Sequence, residues 1–352
     1  MKKSEIRIAG RSIGANYRPY VIAEMSGNHN GSLDKALALV EAAAKAGVDA
    51  IKLQTYTADT MTLDLREREF MVTDAFELWS GRSLHDLYQE AHTPWDWHAP
   101  IMNRAAECGI TCFSSPFDDS AVELLESLNV PAYKIASFEC IHLPLIKRVA
   151  ATGKPIIIST GMASHAEIDE AVRTAREAGC QELVLLKCTS NYPASPTSSH
   201  LRTIPHLRDA YNCEVGLSDH TFGIGVPIAA IALGASIIEK HFTLSRNDGG
   251  VDSAFSANPE EMKLLVDESV RAWEALGRVF VGPAQSALPS LDYRRSIYVS
   301  HNIKAGELFT ETNLRCVRPA KGLPPKYLPI LLGRSASRDI ERGEALSWNM
   351  IN

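Results

Sequence analysis

Long apolar runs are missing from this sequence, and none approaches the ~18 residues that a membrane-spanning helix needs. Excess charge is also small, because 36 lysines and arginines stand against 42 aspartates and glutamates, giving a net charge of −6. No basic stripe appears, which argues against a nucleic-acid-binding surface. Residues 1–5 lead into a β-like segment and not into the apolar stretch of a signal peptide. We therefore expect a cytoplasmic protein with neither a membrane nor a nucleic-acid partner.

Cysteine is scarce and shows no pairing pattern. The seven cysteines are an odd number without a Cys-x-x-Cys pair, so the sequence indicates neither a disulfide framework nor a zinc ribbon. Cys112, Cys180 and Cys188 are interpreted as small core residues. The composition, 45% hydrophobic and 22% charged, is ordinary for a globular protein, and 352 residues suffice for a barrel plus a smaller domain.

Short apolar segments alternate with segments of helical spacing through most of the chain. Leu37, Val40 and Ala44, for example, have helical spacing before Gly47. The candidate strands are rich in Ile, Val and Leu, as expected of strands covered on both faces. They are residues 20–24, 50–54, 111–114, 132–136, 155–160, 183–188, 214–217 and 236–241. About eight βα units predict an α/β fold, a TIM-type (β/α)8 barrel.

The ends of the chain show other patterns. Residues 7–14 predict a small hairpin that caps the bottom of the barrel, and residues 259–276 predict its closing helix. The Gly/Pro turns that follow indicate a linker. Residues 302–308 then recur approximately as residues 339–345, which predicts a small β-rich domain with pseudo-symmetric halves. The predicted domains are therefore 1–277, the hairpin plus barrel; 278–292, the linker; and 293–352, the β-rich domain.

The connection over residues 56–98 is much longer than an ordinary βα loop. It carries Trp79, Tyr88, Trp95 and Trp97 among charged residues. A long insertion on the catalytic face often covers a substrate, but it can equally be a packing excursion. Both interpretations stay open at this stage.

Two segments, residues 216–220 and 237–241, each end an apolar run with a histidine. Successive parallel strands end at the same face of a barrel, so His220 and His241 would be neighbours at its catalytic end. Two imidazoles leave coordination positions open for water and substrate oxygens, which predicts a divalent metal site. The alternative is that each histidine only forms hydrogen bonds within the rim.

Lys52 and Lys134 fall inside predicted barrel strands, where an unpaired charge costs several kcal/mol. Serines and threonines end the neighbouring strands, so the set describes a pocket for a phosphate or a carboxylate. Alternatively, the two lysines pair with Glu24 and Glu139 in internal salt bridges.

The strand-end segments together resemble the sialic acid synthase family. The matching segments are residues 24–32, 51–56, 113–117, 133–137, 159–162, 187–193, 216–221 and 239–243. The resemblance covers nearly the whole chain and implies that the C-terminal domain is antifreeze-like (SAF). It implies condensation of phosphoenolpyruvate with an open-chain N-acetylated amino sugar, which releases phosphate and forms a nonulosonic acid.

The resemblance also implies roles for individual residues. His220 and His241 would bind Mn²⁺ or Mg²⁺, and Glu24 and Glu139 would handle protons. The residues implied for phosphoenolpyruvate are Lys52, Ser115, Lys134, Ser137, Ser159 and Ser218, and those for the sugar are Gln54, Asn191, Tyr192 and Asp252. Arg318 would reach the sugar site of a partner subunit, which implies a homodimer with each C-terminal domain over the other barrel.

Some residues depart from the pattern of N-acetylmannosamine-using members. Asn191 is displaced by one position, and Arg294 stands where an aromatic residue is usual. Residues 25–26, 87–95 and 295–298 favour a branch that uses 2,4-diacetamido-2,4,6-trideoxy-L-altrose. Synthesis of N-acetylneuraminate or legionaminate stays an alternative, as does another metal-dependent barrel aldolase or epimerase. A non-catalytic carbohydrate-binding protein is a third hypothesis, disfavoured because the strand-end polar residues are all present.

Overall fold

The computed structural model describes residues 6–72 and 79–352, so residues 1–5 of the expected N-terminal lead and residues 73–78 of the long insertion lie outside the described part. The chain divides into two compact units, Met1–Gly277 and Arg278–Asn352. No helix in the described part is long and apolar enough to cross a membrane.

The first unit is a closed barrel of eight parallel strands, which confirms the predicted TIM-type fold. A two-stranded antiparallel hairpin of β1 (Ile6–Ile8) and β2 (Arg11–Ile13) precedes it. The barrel strands are β3 (Tyr20–Glu24), β4 (Ala50–Thr55), β5 (Thr111–Pro116), β6 (Tyr133–Ile135), β7 (Ile156–Ser159), β8 (Leu183–Cys188), β9 (Glu214–Asp219) and β10 (Ile237–His241). Each pairs with its sequence neighbour, and β10 pairs with β3 to close the ring.

Helices cover the outside of the barrel, except for the second and third, which belong to the insertion between β4 and β5. They are α1 (Leu33–Ala46), α2 (Ala58–Met61), α3 (Leu84–Ala91), α4 (His98–Glu107), α5 (Asp119–Ser127), α6 (Leu143–Ala150), α7 (His165–Glu177), α8 (Thr203–Tyr211), α9 (Gly225–Ala232) and α10 (Pro259–Leu276). Local signals set their ends. The Ser32 hydroxyl caps α1 by accepting from the Lys35 amide, and Gly47 ends it at a φ of 88°, where glycine is strongly favoured.

Two apolar clusters stabilise this unit. The larger packs the outward faces of the strands against the helices. The smaller fills the lower half of the barrel, where Ile6, Ile8 and Ile13 of the hairpin pack against the first inward residues of the strands, such as Tyr20 and Ala50. The hairpin therefore seals the end of the barrel at which the strands begin.

The insertion between β4 and β5 contains α2 and α3 and returns to the barrel at Thr93 and Pro94. Two buried histidines attach the C-terminal end of the insertion to the barrel. His29 Nε2 lies 3.2 Å from the Thr93 hydroxyl, and His98 Nε2 lies 2.8 Å from the hydroxyl of Thr55 in β4. Burial lowers the pKa of His29 to about 4, so this ring is neutral.

The second unit holds the antiparallel pair β11 (Ser296–Val299) and β12 (Leu314–Val317) and the short α11 (Leu328–Leu331). The predicted linker falls in this unit, and Gln285–Tyr293 forms a 3-10 helix. The two copies of the sequence repeat pair with each other, because Ile303 and Ile340 exchange amide-to-carbonyl hydrogen bonds of 2.9 and 2.8 Å. Each copy turns at a glycine with positive φ, Gly306 in one and Gly343 in the other.

Candidate active site

The inward side chains of several barrel strands change from apolar to charged along the strand. In β3 the alternation runs from Ile22 to Glu24, and in β4 from Ala50 to Lys52, since successive side chains of a strand point to opposite faces. Glu24 is in register with Lys52 on one side and with His241 on the other. Parallel pairing thus brings polar residues from distant segments to one level of the barrel, above the apolar side chains that fill its lower half.

A buried cluster of two lysines and two glutamates lies on this level. Lys52 forms an ion pair with Glu24, and its Nζ lies 3.8 Å from Glu239 Oε1. Lys134 Nζ lies 3.2 Å from the same Glu239 oxygen. The predicted salt-bridge alternative is therefore right for Lys52, but Lys134 pairs with Glu239 and not with Glu139, which the chain places elsewhere in the barrel mouth.

The charges in this cluster shift its proton affinities. Burial raises the pKa of Glu24 to about 7, although the adjacent Lys52 opposes the rise. Burial also disfavours ionised Glu239, but Lys134 and Lys52 outweigh it and hold the pKa of that carboxyl below its ordinary value. Burial favours the neutral amine of Lys52, yet Glu239 and Glu24 raise its pKa overall. Glu239 is accordingly the permanent anion of the cluster, and Glu24 is able to exchange a proton near neutral pH.

Four serines surround the lysines. Ser115 Oγ accepts a hydrogen bond of 3.2 Å from Lys52 Nζ, and Ser218 Oγ donates one of 3.3 Å to Glu239. The Ser159 hydroxyl is buried and has no hydrogen-bond partner among residues 6–72 and 79–352. Ser137 lines the cavity above. A buried hydroxyl without a partner is a rare arrangement that an oxygen-rich ligand would satisfy.

His220 and His241 meet at the rim as predicted, with ring centroids 5.3 Å apart. His220 Nδ1 lies 2.8 Å from the Thr189 carbonyl and must donate to it, so Nε2 is the unprotonated nitrogen whenever the ring is neutral. The pKa of His241 is held well below its ordinary value, mainly by burial and to a smaller extent by the positive charge of His220 when that ring is protonated. His241 Nδ1 is buried and makes no hydrogen bond to any described residue.

These donors fit a divalent metal ion. Metal-bound histidines are typically neutral and fix their tautomer through the second ring nitrogen, as His220 does. In the described part of the chain, no group of three or more His, Cys, Asp or Glu side chains is arranged to hold an ion. The protein would therefore supply two imidazoles, and water or substrate would supply the remaining ligands.

Two of the predicted sugar-binding residues, Tyr192 and Asp252, lie beside this pair. The ring of Tyr192 is 4.3 Å from that of His220, measured between centroids. The carboxylate of Asp252 accepts a hydrogen bond from Ser26 and approaches His241 Nδ1 to 3.8 Å. Gln54 donates a 2.9 Å hydrogen bond to Glu24 Oε1, so it contacts the charged cluster directly.

A cavity of about 430 Å³ opens above these residues. Strand ends and the loops after them form one side, including Gln54, Tyr192, His241 and Asp252. The long insertion forms the opposite wall, which is mainly apolar and consists of Tyr56, Met61, Glu69, Met71, Val72, Trp79, Leu84, Leu87, Tyr88 and Ala91. The insertion thus lines the cavity, and both interpretations of it, substrate cover or packing excursion, stay open.

Glu139 also lines the cavity, and its Oε2 is buried without a hydrogen bond in the described part of the chain. Burial raises its pKa to about 7, although the backbone around it and Lys134 oppose the rise. Asn191 is exposed and is not among the residues that line the cavity. Arg318 belongs to the second unit, where it is exposed and immediately follows β12.

Sequence reasoning assigned no role to Glu239, and it did not reveal the contact that Cys188 makes. The signal for Glu239 was present, because the alternation Ile237, Glu239, His241 places it on the same face as the histidine. Cys188 is buried as expected, but its Sγ lies 4.0 Å from His220 Nδ1. Burial raises the pKa of this thiol, yet His220 outweighs burial and lowers it to about 7. Conversely, burial lowers the pKa of His220, and Cys188 and Thr189 outweigh it and raise that pKa.

Known proteins resemble the chain in sequence and structure. Residues 39–280 match the model of the NeuB family, and residues 294–352 match that of the SAF domain. The pseudaminic acid synthase of Campylobacter jejuni strain 81-176 is 44% identical over 93% of this chain and 95% of its own. That of Helicobacter pylori strain 26695 is 41% identical over 95% and 98%. N-acetylneuraminic acid synthetase from Leptospira borgpetersenii, crystallised with citrate, has a TM-score of 0.74 at 32% identity, over 83% of this chain and 96% of that one.

Proposed function

Because this chain belongs to the NeuB family, we propose that it forms pseudaminic acid from phosphoenolpyruvate and 2,4-diacetamido-2,4,6-trideoxy-L-altrose. Membership confirms the resemblance to sialic acid synthases, and the chain is accordingly a transferase that condenses phosphoenolpyruvate with a sugar. The observation that carries the proposal is the meeting of two buried lysines and two histidines at one barrel rim. An aldolase or epimerase would need the histidines but not the buried lysines.

Lys52 and Lys134 supply positive charge for phosphoenolpyruvate. Both ammonium groups approach the same Glu239 oxygen, so they face one small region of the barrel. Because charges attract more strongly in a buried site, an incoming phosphate or carboxylate competes effectively for them. The serine hydroxyls then bind the remaining ligand oxygens, and Ser159 has its hydroxyl free of other described partners.

His220 and His241 are proposed to hold Mn²⁺ or Mg²⁺. Of the two ions, Mn²⁺ suits imidazole nitrogen better, since Mg²⁺ prefers a shell of oxygen ligands. When bound, the ion would act as a Lewis acid on the aldehyde oxygen of the open-chain sugar. Tyr192 packs against His220 and holds that ring in place.

The reaction joins C3 of phosphoenolpyruvate to the aldehyde carbon of the sugar. The aldehyde oxygen takes up a proton and becomes a hydroxyl, while a water molecule adds to C2 and loses a proton. The bond between C2 and the phosphate oxygen then breaks, and the electron pair leaves with phosphate. The C2 hydroxyl gives its remaining proton to that phosphate, and C2 becomes a ketone. The aldehyde oxygen gains one proton and the attacking water gives up one, so a nearby carboxyl with a pKa near 7 suits this exchange.

Glu139 is the better placed of the two predicted carboxyls for this proton exchange. It faces the cavity, its Oε2 makes no hydrogen bond in the described part of the chain, and its pKa is about 7. Glu24 has a similar pKa but is held by Lys52 and Gln54. We therefore assign proton exchange to Glu139, and to Glu24 the positioning of Lys52.

The apolar wall of the cavity supports a deoxy sugar. Met61, Met71 and Leu87 present hydrophobic surface, which suits a C6 methyl group better than the hydroxyl of N-acetylmannosamine. Glu69 on the same wall could accept a hydrogen bond from a second acetamido N–H. Tyr192 and Asp252 face the wall across the cavity.

A homodimer is proposed to complete the site, with the C-terminal domain of each chain over the barrel of the other. Residues 278–292 would be the linker. Arg318 would contact an acetamido oxygen of the sugar bound in the other chain's barrel. Four large apolar side chains near the barrel mouth, Phe138, Ile141, Met162 and Phe222, are each more than half exposed. Such a cluster marks a surface that another protein surface covers. A cytoplasmic location stays a prediction from the sequence.

Phosphate release from phosphoenolpyruvate in the presence of different sugars tests the proposal. We expect kcat/KM for 2,4-diacetamido-2,4,6-trideoxy-L-altrose to exceed kcat/KM for N-acetylmannosamine by at least ~10²-fold. The reason is that the C6 hydroxyl of N-acetylmannosamine would lie unmatched against an apolar wall. No phosphate should appear without a sugar. Equal or faster turnover of N-acetylmannosamine, or of the legionaminate precursor, would overturn the sugar assignment, and sugar turnover without phosphoenolpyruvate would overturn the reaction.

A further inference from the structure

We propose that His165 and His206 form a second metal site, on the outer surface of the barrel, for a transition-metal ion of the Zn²⁺, Ni²⁺ or Cu²⁺ type. His165 is the first residue of α7, and His206 lies in the first half of α8. Both side chains are exposed. Neither residue takes part in the proposed reaction, so this site is independent of the proposed function.

The distance between the two rings matches metal ligation. Their Nε2 atoms are 3.0 Å apart, and the ring planes are perpendicular with centroids 4.9 Å apart. Two imidazole nitrogens bound at ~2.1 Å to one ion, with an angle of ~90–110° between the bonds, are ~3.0–3.4 Å apart. The pair therefore needs only a small ring rotation to chelate an ion.

Tyr211 fixes the tautomer that ligation requires. Its hydroxyl donates to the His165 carbonyl oxygen at 3.1 Å and lies 3.2 Å from His165 Nδ1. The single hydroxyl proton is used on the carbonyl, so Nδ1–H of His165 donates to the tyrosine oxygen. Nε2 of His165 is then unprotonated and faces His206. Histidine ligands in metal sites are commonly fixed by such a bond to the second nitrogen.

The exposed ring of His206 can adapt when an ion arrives. Without an ion, His206 Nε2 donates its proton to His165 Nε2. With an ion, the proton moves to Nδ1 of His206, which water can solvate at this exposed position. Two imidazoles with water in the other positions select the ions that prefer nitrogen, and not Mg²⁺ or Ca²⁺.

An ion at this site would join two neighbouring helices of the barrel. Because it binds the folded chain with both ligands in place, it stabilises the fold in proportion to the logarithm of its concentration above Kd. The expected consequence is a rise in Tm with added Zn²⁺ or Ni²⁺ that does not depend on the active-site histidines.

Copper binding to the full-length chain tests the proposal. We compare the His220→Ala/His241→Ala double variant with the same protein carrying His206→Ala. The double variant should bind one equivalent of Cu²⁺ with the electron paramagnetic resonance signature of two nitrogen ligands. The protein that also carries His206→Ala should not bind this Cu²⁺ ion. His301→Ala, at an exposed histidine in the second unit, is the matched control and should retain the ion. The proposal is overturned if the double variant binds no copper or if His206→Ala leaves binding unchanged.

Tyr211→Phe separates metal ligation from an ordinary hydrogen bond between the rings. Removing the hydroxyl frees the tautomer of His165 and should weaken Cu²⁺ affinity by about 10-fold or more. A purely structural role for Tyr211 would lower Tm without changing the affinity, and that result would contradict the assigned tautomer. His206→Ala alone should release phosphate at the wild-type rate.

Discussion

One carboxylate oxygen of Glu239 forms ion pairs with both barrel lysines. Lys134 at 3.2 Å and Lys52 at 3.8 Å keep it ionised in a buried site, where an unpaired carboxylate would be very unfavourable. The same two lysines are proposed to bind the anionic substrate. A change at either lysine therefore affects folding and binding at once, and the two effects have to be separated.

Lys134→Ala should raise the KM for phosphoenolpyruvate by about 10- to 100-fold, because a charge-assisted hydrogen bond to the substrate is lost. It should also destabilise the fold by ~3–5 kcal/mol, because Glu239 keeps only the more distant Lys52. Initial rates and urea titrations measure the two effects.

Adding Glu239→Gln to that variant is the control. It removes the unpaired charge and should recover much of the stability while the KM stays high. An unchanged KM in Lys134→Ala would show that this lysine only neutralises Glu239.

Two carboxyls make stability depend on pH. The pKa values of Glu24 and Glu139 are about 7 in the folded chain against an ordinary 4.5, so the folded state holds protons that the unfolded state has released between these values. The stability they contribute is complete below about pH 4.5 and is lost as the pH rises through about 7.

Glu139→Gln replaces a titrating group with one that does not titrate. The loss of folding stability between low and neutral pH should then fall to roughly half, because only Glu24 still contributes to it. Urea midpoints at about pH 5 and about pH 7.5 measure the loss in both proteins. An identical loss in the variant would contradict the raised pKa of Glu139.

The rim histidines yield a separate prediction. His220→Ala and His241→Ala should each lose bound Mn²⁺ and nearly all phosphate release while retaining their far-ultraviolet circular dichroism. Manganese content measured after dialysis, with the surface variant His301→Ala as control, tests this directly. Wild-type manganese content and turnover in either variant would rule out the two-histidine site.

At the scale of elements, the strands were predictable where local hydrophobicity and the hydrogen-bonded ladder agree. Tyr20–Glu24 and Leu183–Cys188 were predicted to the residue. Strand β9 was predicted to end at Leu217 but continues to Asp219, because Ser218 pairs with Cys188 and Asp219 pairs with Lys240. Those partners lie elsewhere in the chain, so no local pattern shows them.

The same limit applies to the site. The histidine pair followed from strand order alone, and the lysines followed from the cost of burial. The partner of Lys134 did not, since Glu139 and Glu239 are both acidic residues near strand ends and only the closed ring decides between them. The orientation of Asn191 was equally out of reach, because it depends on a loop.

The insertion between β4 and β5 reaches across the mouth of the barrel through Trp79. Its indole Nε1 donates a 3.1 Å hydrogen bond to the Val251 carbonyl, and its ring lies 6.0 Å from that of Tyr192. Trp79 thus joins the apolar wall to the residues proposed to bind the sugar.

Trp79→Ala should raise the KM for the sugar by about 10-fold or more, because a large aromatic surface and a hydrogen bond are lost from the wall. The KM for phosphoenolpyruvate should hardly change, since the lysines lie on the opposite, deeper side. Trp273→Ala, on the outer helix α10, is the matched control. Equal effects on both KM values would indicate a general loss of structure.

At the scale of the whole molecule, the proposed exchanged-domain dimer predicts that two inactive chains complement each other. His220→Ala should inactivate a barrel, and Arg318→Ala should inactivate the contribution of a C-terminal domain. After subunit exchange, a mixed dimer contains one barrel with both histidines that receives a wild-type arginine, so phosphate release should return to as much as about a quarter of the wild-type rate. No recovery despite demonstrated exchange, or an active monomer, would refute the arrangement.

The hairpin of β1 and β2 gives the barrel a single opening. Apolar side chains fill the lower half, so reactants enter and products leave only through the mouth where the strands end. Lys52 lies one inward position below Gln54, which lines the cavity. If the proposed function is right, a sugar seated in the cavity should close the way to the lysine, so phosphoenolpyruvate should bind before the sugar and inorganic phosphate should leave after the nine-carbon acid.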